Sequence, residues 1–326
     1  WRMHGAAITL ATELAQLPWT PDLIVATDML DVATFKALLP QEFQQVNIAL
    51  YFHENQLAYP WSPAATAEEI SRDKQYGFIN YTSALAADAV LFSSAYNQSS
   101  FCHTLPSFLS GFPDHQNAQT VDRIVRKSTV LPVGLDLKRL ELPHSERSTK
   151  PTVLWNHRWE HDKNPEDFFT ALYALSEENL DFDLIVLGKS YSSQPAVFEA
   201  ARKRLSPHIV HWGYAESLDE YRQLLHRSTV APVTSNQDFF GISALEAVYC
   251  GAQPLWPNRL AFPEHFNETA HLYDSSDQFY LKLKSILDSA EPEVNPLYKK
   301  QLEVYEWRNC IHNYDAQLKI ISALRE

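Results

Sequence analysis

The chain has 326 residues and a formal net charge of −13, with 45% hydrophobic and 12% aromatic residues. This length exceeds what one hydrophobic core usually holds, so we expect two domains. The acidic balance argues against a generic nucleic-acid coat but leaves room for a local RNA contact. No apolar run is long enough to span a membrane, and Cys102, Cys250 and Cys310 follow neither a metal nor a disulfide spacing. We therefore expect a cytoplasmic protein with reduced thiols and no membrane partner.

Short apolar strands alternate with helices in the first half of the chain. Helices are predicted over residues 1–17, 31–39, 68–87, 96–105 and 121–127, and strands over 22–27, 46–52, 89–92 and 129–133. Asp31 is the expected cap of the second helix. This alternation is typical of doubly wound α/β domains with parallel sheets. Strand 46–52 is followed by His53, Glu54 and Asn55, at the end of the strand where such sheets bind ligands.

Residues 134–150 are charged and irregular, and we predict that they link two domains. The alternation then resumes, with strands at 152–155, 182–187, 209–211, 230–231 and 253–255, and helices at 165–179, 195–205, 218–227, 241–250, 279–289 and about 297–324. We expect a first domain over residues 1–140, a second over 150–296, and a C-terminal helical return over 297–326.

The chain begins inside a helical pattern, whereas a doubly wound domain is expected to open with a βαβ unit of roughly 30 residues or more. We therefore predict that this first unit is missing from the sequence. The sheet should then lack a central partner, or have an open edge beside strands 22–27 and 46–52.

Residues 236–251, NQDFFGISALEAVYCG, place two carboxylates around a helix start. Asp238 is expected in the loop before the helix and Glu246 about a turn and a half inside it. The N–H groups near Gly241 and Ile242 suit an anion, and the two acids suit the hydroxyls of a sugar and a ribose. The alternative is that Asp238 is an N-cap and Glu246 a solvated side chain.

The string WNHRWEHDKNPEDF follows the first strand of the second half. Arg158 and Lys163 lie in its loop, and Pro165 is expected at the helix start. Two cations there suit a diphosphate, although they also fit unremarkable surface charges. His157 and His161 have the spacing of a zinc helix, but no Glu directly follows the first of them, so we predict no metal.

Three further places carry candidate site residues. His53 fits an orienting contact to a sugar hydroxyl, a base that takes a proton from the acceptor, or a hydrogen-bonded strand end. Trp212 and Gly213 fit the wall of a base pocket, with a core tryptophan as the alternative. Asp114 and His115 fit either the same cleft or a capped surface turn.

Residues 123–150 carry seven Lys and Arg against three acids. This basic patch fits a solvated linker and an RNA contact equally well.

The strings FHENQ, PDH, LWNHRWEHDKNPE, HWGY and FFGISALEAVYCG together resemble one family, the tRNA-queuosine mannosyltransferases, which are retaining GT-B, GT4-like glycosyltransferases. The resemblance runs from about residue 46 to 263. It implies an α/β fold of two Rossmann-like doubly wound domains facing an interdomain cleft. It also implies transfer of mannose from GDP-mannose to queuosine in a tRNA anticodon, with retained configuration, no metal and no further cofactor. The first acid of the family's pair is normally Glu, and Asp238 is one methylene shorter.

The same resemblance implies a role for each candidate. Arg158 and Lys163 would neutralise the leaving diphosphate, Glu246 would hold the ribose, and Asp238 and His53 would contact the sugar. Trp212, Gly213, Phe240, Gly241 and Ile242 would complete the donor site, and Glu54, Asn55, Asp114 and His115 would face the acceptor. The expected mechanism is front-face substitution, in which the leaving diphosphate oxygen takes the acceptor's proton.

Two other functions fit the sequence. One is a GT4-like transferase acting on a glycan, a lipid or a small metabolite. The other is a catalytically silent GT-B protein that binds RNA, which the joint presence of Arg158, Lys163 and Glu246 disfavours. The sequence leaves the oligomeric state open.

Overall fold

The computed structural model describes residues 2–59, 67–142, 150–189, 195–289 and 296–324, with only the backbone described over 67–73. The chain divides into two compact units. Unit 1 comprises Trp1–Val133 and Cys310–Glu326, and unit 2 comprises Gly134–Asn309. Each unit is built around its own parallel sheet.

Unit 1 contains a sheet of strands in the order β1-β2-β3-β4. The strands are β1 (Leu23–Thr27), β2 (Asn47–Phe52), β3 (Ala89–Phe92) and β4 (Ser128–Val130). The helices are α1 (Ala6–Leu14), α2 (Val32–Leu38), α3 (Ala67–Ala86), α4 (Ala95–Ser110) and α5 (Gln119–Arg126), joined by most of the last helix of the chain, α12 (Trp307–Ser322).

The elements of unit 1 follow the apolar pattern and the capping residues of the sequence. Every residue of β2 is buried, as its uninterrupted apolar run predicts. The predicted cap of α2 is confirmed, because Oδ1 of Asp31 accepts the Thr34 N–H at 3.0 Å. Helix α4 does not end near residue 105 as predicted, but continues past Pro106 to Ser110. Leu105 and Leu109, one turn apart, both pack into the core. The stabilisation from this burial outweighs the loss of the helical hydrogen bond that Pro106 cannot donate.

Side chains pack on both faces of the unit 1 sheet, and the second face is covered over β2 and β3. On the second face, Ile321 of α12 packs with Tyr51 and Leu131. Asn47 ties the end of α12 to the sheet, since its side-chain amide donates to the carbonyls of Ile321 and Ser322, each at 3.0 Å. The C-terminal helix is therefore part of the first sheet's packing.

The edge of this sheet lies along β1. Strand β2 pairs with β1 on one side and β3 on the other, so the prediction of a missing partner is wrong for β2. Within the described residues β1 pairs only with β2, and Val25 is 53% exposed. Strand β1 is therefore an edge strand of this sheet within the described residues, whereas β2 is not.

Unit 2 contains a sheet in the order β10-β9-β8-β5-β6-β7. The strands are β5 (Thr152–Asn156), β6 (Asp183–Leu187), β7 (Ile209–Gly213), β8 (Val230–Pro232), β9 (Gln253–Pro257) and β10 (Leu272–Tyr273). The helices are α6 (Pro165–Glu177), α7 (Val197–Arg204), α8 (Leu218–Arg227), α9 (Ile242–Tyr249), α10 (Ser276–Leu287) and α11 (Pro296–Leu302). The chain reverses its direction across the sheet between β5 and β8, which is where an open α/β sheet forms a ligand crevice.

The first part of the predicted linker belongs to unit 2, and in this respect the linker prediction is wrong. Leu137 and Leu140 are fully buried. Leu135 forms a parallel bridge with Glu306, and its N–H donates to the Tyr305 carbonyl at 2.7 Å. The same bridge lies between α11 and α12, inside the segment of about residues 297–324 that the sequence predicts to be helical. Residues 143–149 lie outside the described part of the chain.

Two further expectations concern membranes and thiols. Within the described ranges, no helix has the length and apolar character needed to cross a bilayer. Within the described residues, Cys102, Cys250 and Cys310 form no disulfide, and Cys250 and Cys310 are buried.

Candidate functional site

A cavity of about 620 Å³ opens in unit 2 at the carboxyl ends of β5, β6 and β7. This is the side of the sheet on which its strand order favours a ligand. Its polar lining comes from Arg139, Asn156, His157, Arg158, Lys189, Glu216, Ser217, Tyr221, Ser243 and Glu246. The cavity thus combines cations and carboxylates with a helix start.

The wall of the cavity depends on a glycine after β6. Gly188 has φ +139°, and a Cβ built there would lie 2.0 Å from the His157 carbonyl oxygen. A side chain is excluded by that contact, and the left-handed φ is rare for other residues. Gly188 therefore lets the loops after β5 and β6 meet closely at the cavity.

Both carboxylate oxygens of Glu246, an acid of the lining, accept hydrogen bonds from protein side chains. Its Oε1 accepts from Nη2 of Arg139 at 2.8 Å, and its Oε2 accepts the Tyr221 hydroxyl proton at 2.7 Å. The carboxylate is 10% exposed, so the alternative of a solvated surface Glu does not describe it. Arg139 and Tyr221 are site residues that the sequence analysis did not identify. Arg139 lay in the predicted linker, and nothing in the local pattern links either residue to Glu246.

Helix α9 begins next to the cavity. Its N-cap is Gly241 with φ +83°, and no side chain caps it. A Cβ at Gly241 would lie 2.8 Å from the Phe262 ring, so close packing as well as φ requires glycine. Ile242 is 42% exposed, whereas Phe240 is buried and its carbonyl accepts from His265 at 2.7 Å. The uncapped helix start has the N–H groups that an anion requires.

Asp238 and Lys163 form a buried ion pair. Nζ of Lys163 lies 3.2 Å from Oδ2 of Asp238 and 3.2 Å from Oδ2 of Asp162, and it donates to the Gln237 carbonyl at 2.8 Å. Asp238 does not cap the helix; its Oδ1 accepts the Phe240 N–H at 3.3 Å. Lys163 is only 8% exposed and is not part of the cavity lining, so the structure does not place it as an exposed arm of a clamp.

Burial and the neighbouring charges together determine the ionisation of Lys163, Asp238 and His157. Burial lowers the pKa of Lys163, but Asp238 and Asp162 outweigh burial and hold that pKa above its ordinary value. Burial raises the pKa of Asp238, and Lys163 and His157 outweigh it, so the net shift is downward. Burial, with a smaller effect of Lys163, lowers the pKa of His157 to about 4. Near neutral pH the lysine and the aspartate are therefore charged and His157 is neutral.

Arg158 occupies the position predicted for a diphosphate contact. It lines the cavity, and its side chain is 50% exposed. Its Nη1 lies 3.1 Å from Oε2 of Glu160. Pro165 begins α6 as predicted. A bound anion can reach this guanidinium without opening the protein core.

Trp212 does not line the cavity, which corrects the prediction of a tryptophan base pocket. Its ring packs against Trp159, Phe169 and Phe198, at centroid distances of 5.6, 6.0 and 6.4 Å. This is the core alternative. Gly213 ends β7, and the next residue, Tyr214, lines the cavity and is 71% exposed.

The candidates of unit 1 divide into exposed and buried residues. His53 is exposed, and its Nδ1 lies 3.5 Å from Oδ1 of the buried Asp28. Glu54 is half-buried, and its Oε1 accepts from Gln56 at 3.0 Å. Asp114 and His115 lie in an exposed loop in which His115 has φ +41°. The exposed loop fits the surface-turn alternative.

Asn55 is fully buried, which contradicts an acceptor-facing role. Its amide donates to Oδ1 of Asn97 at 2.9 Å and to Ser100 at 3.1 Å, and its own Oδ1 accepts the Ala58 N–H at 2.9 Å. These bonds are internal to unit 1. Asn55 therefore shapes the loop after β2 and does not present a polar group to a ligand.

Several members of the basic patch are held by the protein itself. Lys127 donates to the carbonyls of Leu85 and Ala87, at the end of α3. Arg139 pairs with Glu246, and Lys150 with Asp181 at 2.5 Å. These three cations are therefore already paired within their own units.

Across the described ranges, no three His, Cys, Asp or Glu side chains converge in a way that could hold a metal ion. His157 is buried beside Lys163 and Asp238, and His161 lies in the short 3-10 turn His161–Lys163.

Comparison with known proteins assigns the chain. Residues 1–135 match the family described as tRNA-queuosine alpha-mannosyltransferase N-terminal, and residues 139–299 match the glycosyl transferases group 1. A tRNA-queuosine alpha-mannosyltransferase of Drosophila melanogaster is 33% identical over 296 residues, which cover 86% of this chain and 76% of that protein. The chain belongs to the tRNA-queuosine alpha-mannosyltransferase family. It is therefore a glycosyltransferase, as the resemblance implied.

Solved structures of other glycosyltransferases share the fold of this chain. Sucrose-phosphate synthase of Thermosynechococcus elongatus has a TM-score of 0.69 at 14% identity, covering 98% of this chain and 78% of that one. Anabaena HepE in complex with UDP has a TM-score of 0.67 at 13% identity, covering 96% and 81%. At such identities the likeness concerns the fold alone, and the predicted GT-B class is confirmed.

Proposed function

We propose that this glycosyltransferase transfers mannose from GDP-mannose to queuosine in the anticodon of a tRNA, with retained configuration and without a metal ion. The observation that carries the proposal is the cavity of unit 2, in which the held carboxylate Glu246 and the half-exposed Arg158 line the same space. Membership of the family supports the sugar and the acceptor. A tRNA substrate also favours the cytoplasm as the place of action.

The donor fits the cavity by charge and by hydrogen-bonding capacity. Glu246 would accept the ribose hydroxyls, and Arg158 with the uncapped start of α9 would bind the diphosphate. Tyr214, exposed at the cavity, would stack on the base in place of Trp212. Lys163 would hold Asp238 toward the transferred sugar. The family resemblance supports these roles.

The chemistry requires a group that stabilises the leaving diphosphate. In the proposed step, the bond between the anomeric carbon and the phosphate oxygen breaks, and the acceptor hydroxyl oxygen bonds to that carbon on the same face. The hydroxyl proton passes to the leaving oxygen, which leaves GDP as the second product. Arg158 and the helix N–H groups are preorganised to stabilise the developing charge, and this supports a metal-independent reaction.

The direct test is mass spectrometry of tRNA nucleosides after incubation with GDP-mannose. We expect a mass increase of one hexose on queuosine, in EDTA as well as in buffer. tRNA that carries guanosine at the same position is the matched control and should stay unmodified. Unmodified queuosine tRNA would refute the proposal, and hexose transfer from UDP-glucose alone would refute the donor.

Glu246→Gln tests the donor site by calorimetry with GDP. The amide keeps the shape but loses the charge that accepts the ribose hydroxyls, so we expect GDP binding weakened by about 1.5–3 kcal/mol with the fold intact. Glu199→Gln on the exposed surface of α7 is the control and should bind GDP as the native protein does. An unchanged GDP affinity in Glu246→Gln would show that the ribose assignment is wrong.

A further inference from the structure

The Glu246 carboxylate has one protein donor on each of its oxygens. Arg139 donates to Oε1 at 2.8 Å and Tyr221 to Oε2 at 2.7 Å. A carboxylate has about four acceptor positions. Two of them are therefore occupied, one on each oxygen, and each oxygen keeps one for a further donor. Two neighbouring hydroxyls on one ring are the ligand chemistry that matches this arrangement.

Tyr221 is itself fixed as a donor. Nδ2 of Asn156 donates to the Tyr221 oxygen at 2.9 Å and to the Ser243 carbonyl at 3.0 Å. Because the phenol oxygen accepts from Asn156, its proton is directed to Glu246. Burial and the charge of Glu246 raise the pKa of Tyr221, so the phenol stays protonated. The strand end at β5 thus aligns a chain from Asn156 through Tyr221 to the acid.

Arg139 is fixed by the segment that carries it. The Arg139 carbonyl accepts from Nε of Arg222, and the Leu140 carbonyl lies 2.9 Å from Nε2 of His226. On the other side, Oε2 of Glu306 accepts the N–H groups of Leu137 and Lys138 at 2.9 and 3.2 Å. These contacts anchor the backbone on both sides of Arg139, so its guanidinium approaches Glu246 from a held position.

We propose that Tyr221 and Arg139 are positioning residues that orient the Glu246 carboxylate to accept the two vicinal ribose hydroxyls of the donor nucleotide. This inference rests on the proposed function, since it takes the ribose as the ligand of Glu246. It adds two residues that act through the acid and not on the sugar. Removing either one should weaken recognition of the ribose hydroxyls specifically, and leave recognition of the phosphates in place.

The test compares the affinities of GDP and 3′-deoxy-GDP for the native protein, Tyr221→Phe and Arg139→Ala. We expect the native protein to bind GDP at least about tenfold more tightly than 3′-deoxy-GDP, because the deoxy nucleotide lacks the 3′-hydroxyl that donates to the charged carboxylate. In both variants we expect this ratio to fall to about twofold or less. The KM for the donor should rise about tenfold, while kcat changes less than twofold.

Controls separate positioning from general damage. Tyr173→Phe, on α6 outside the cavity, should keep the native ratio. Arg139→Lys retains a cation and should restore part of the ratio that Arg139→Ala loses. Thermal unfolding of each variant shows whether the protein is folded under the binding conditions.

The outcomes are distinct. If the native protein prefers GDP and both variants keep that preference, the positioning proposal is overturned while the ribose assignment stands. If the native protein binds both nucleotides equally, the ribose assignment within the proposed function fails, and the positioning proposal fails with it. A lost preference in folded variants supports both.

Discussion

The strand ends of the two units have similar sequences but different structures. In unit 1, β2 is followed by His53, Glu54 and Asn55; in unit 2, β5 is followed by His157 and Arg158. In unit 1 the polar group of the buried Asn55 makes its hydrogen bonds inside the protein, to its own loop and to α4. In unit 2 the polar groups surround a cavity of about 620 Å³.

This difference teaches that polar residues after a buried strand do not by themselves indicate a ligand site. After β2, the Asn55 side chain is hydrogen-bonded to Ala58 of its own loop and to Asn97 and Ser100 of α4. At the ends of β5 and β6, Gly188 lies against His157, and these residues line open space together with Glu246 of α9. A site requires polar groups that stay accessible after the loops have packed.

Lys163→Ala gives the largest expected effect, and it is a loss of stability. The substitution leaves Asp162 and Asp238 without their buried cation, so we expect the free energy of unfolding to fall by about 3–5 kcal/mol. Denaturant unfolding measures it. Lys203→Ala, in an exposed pair with Glu199, is the control and should leave the stability close to that of the native protein. Normal stability with lost activity would instead return Lys163 to the role of a diphosphate cation.

Arg158→Ala tests the cavity itself. We expect the transition-state stabilisation calculated from kcat/KM to fall by about 2–4 kcal/mol, because a preorganised cation at the leaving group is lost. Stability should change by less than about 0.5 kcal/mol, since the side chain is 50% exposed. Arg202→Ala on the exposed face of α7 is the control for losing one positive charge. Native turnover in Arg158→Ala would remove the main cation from the proposed mechanism.

Asn55→Ala tests the opposite side of the comparison. Its loss leaves buried partners in unit 1 unsatisfied, so we expect about 1–3 kcal/mol of destabilisation. The KM values of the folded variant for donor and tRNA should be native. Gln116→Ala, in an exposed loop, should change stability by less than about 0.5 kcal/mol. A raised KM for tRNA at unchanged stability would restore Asn55 as an acceptor residue.

Acid should distinguish the two units through their histidines. His157, His265 and His271 of unit 2 are buried, and burial lowers the pKa of each to about 4. The unfolded chain takes up these protons first, so the stabilisation is complete above about pH 6.5 and is lost as the pH falls toward 4. The described histidines of unit 1 are exposed. We therefore expect unit 2 to unfold first on acidification.

His271→Phe measures this effect with the least disturbance. Both ring nitrogens of His271 are without a hydrogen-bond partner among the described residues, and the ring contacts Trp256 and Phe266. The free energy of unfolding should decrease between pH 7 and pH 5 in both proteins, and we expect this decrease to be about 1–2 kcal/mol smaller in the variant. Thermal unfolding at several pH values measures it, with exposed His103→Phe as the control. An unchanged pH slope would contradict the role of His271.

The sequence by itself determined the elements and the family. Uninterrupted apolar runs specified β2 and β5, and Asp31 and Pro165 marked helix starts, because these signals act between neighbouring residues. The long strings around His53, Arg158 and Glu246 were specific enough to indicate the family and hence the GT-B fold. The roles of the individual site residues stay predictions.

Only the tertiary structure decided which side chains meet. Arg139 lies 107 positions from Glu246 in the chain, and no local pattern relates the two. Trp212 and Tyr214 are nearly adjacent in sequence, yet one is packed among aromatic rings and the other is 71% exposed at the cavity. Burial and pairing depend on how distant segments pack together, and local propensity carries no information about those contacts. For that reason residues 134–142 of the predicted linker belong to unit 2, and Asn55 lies in the interior of unit 1.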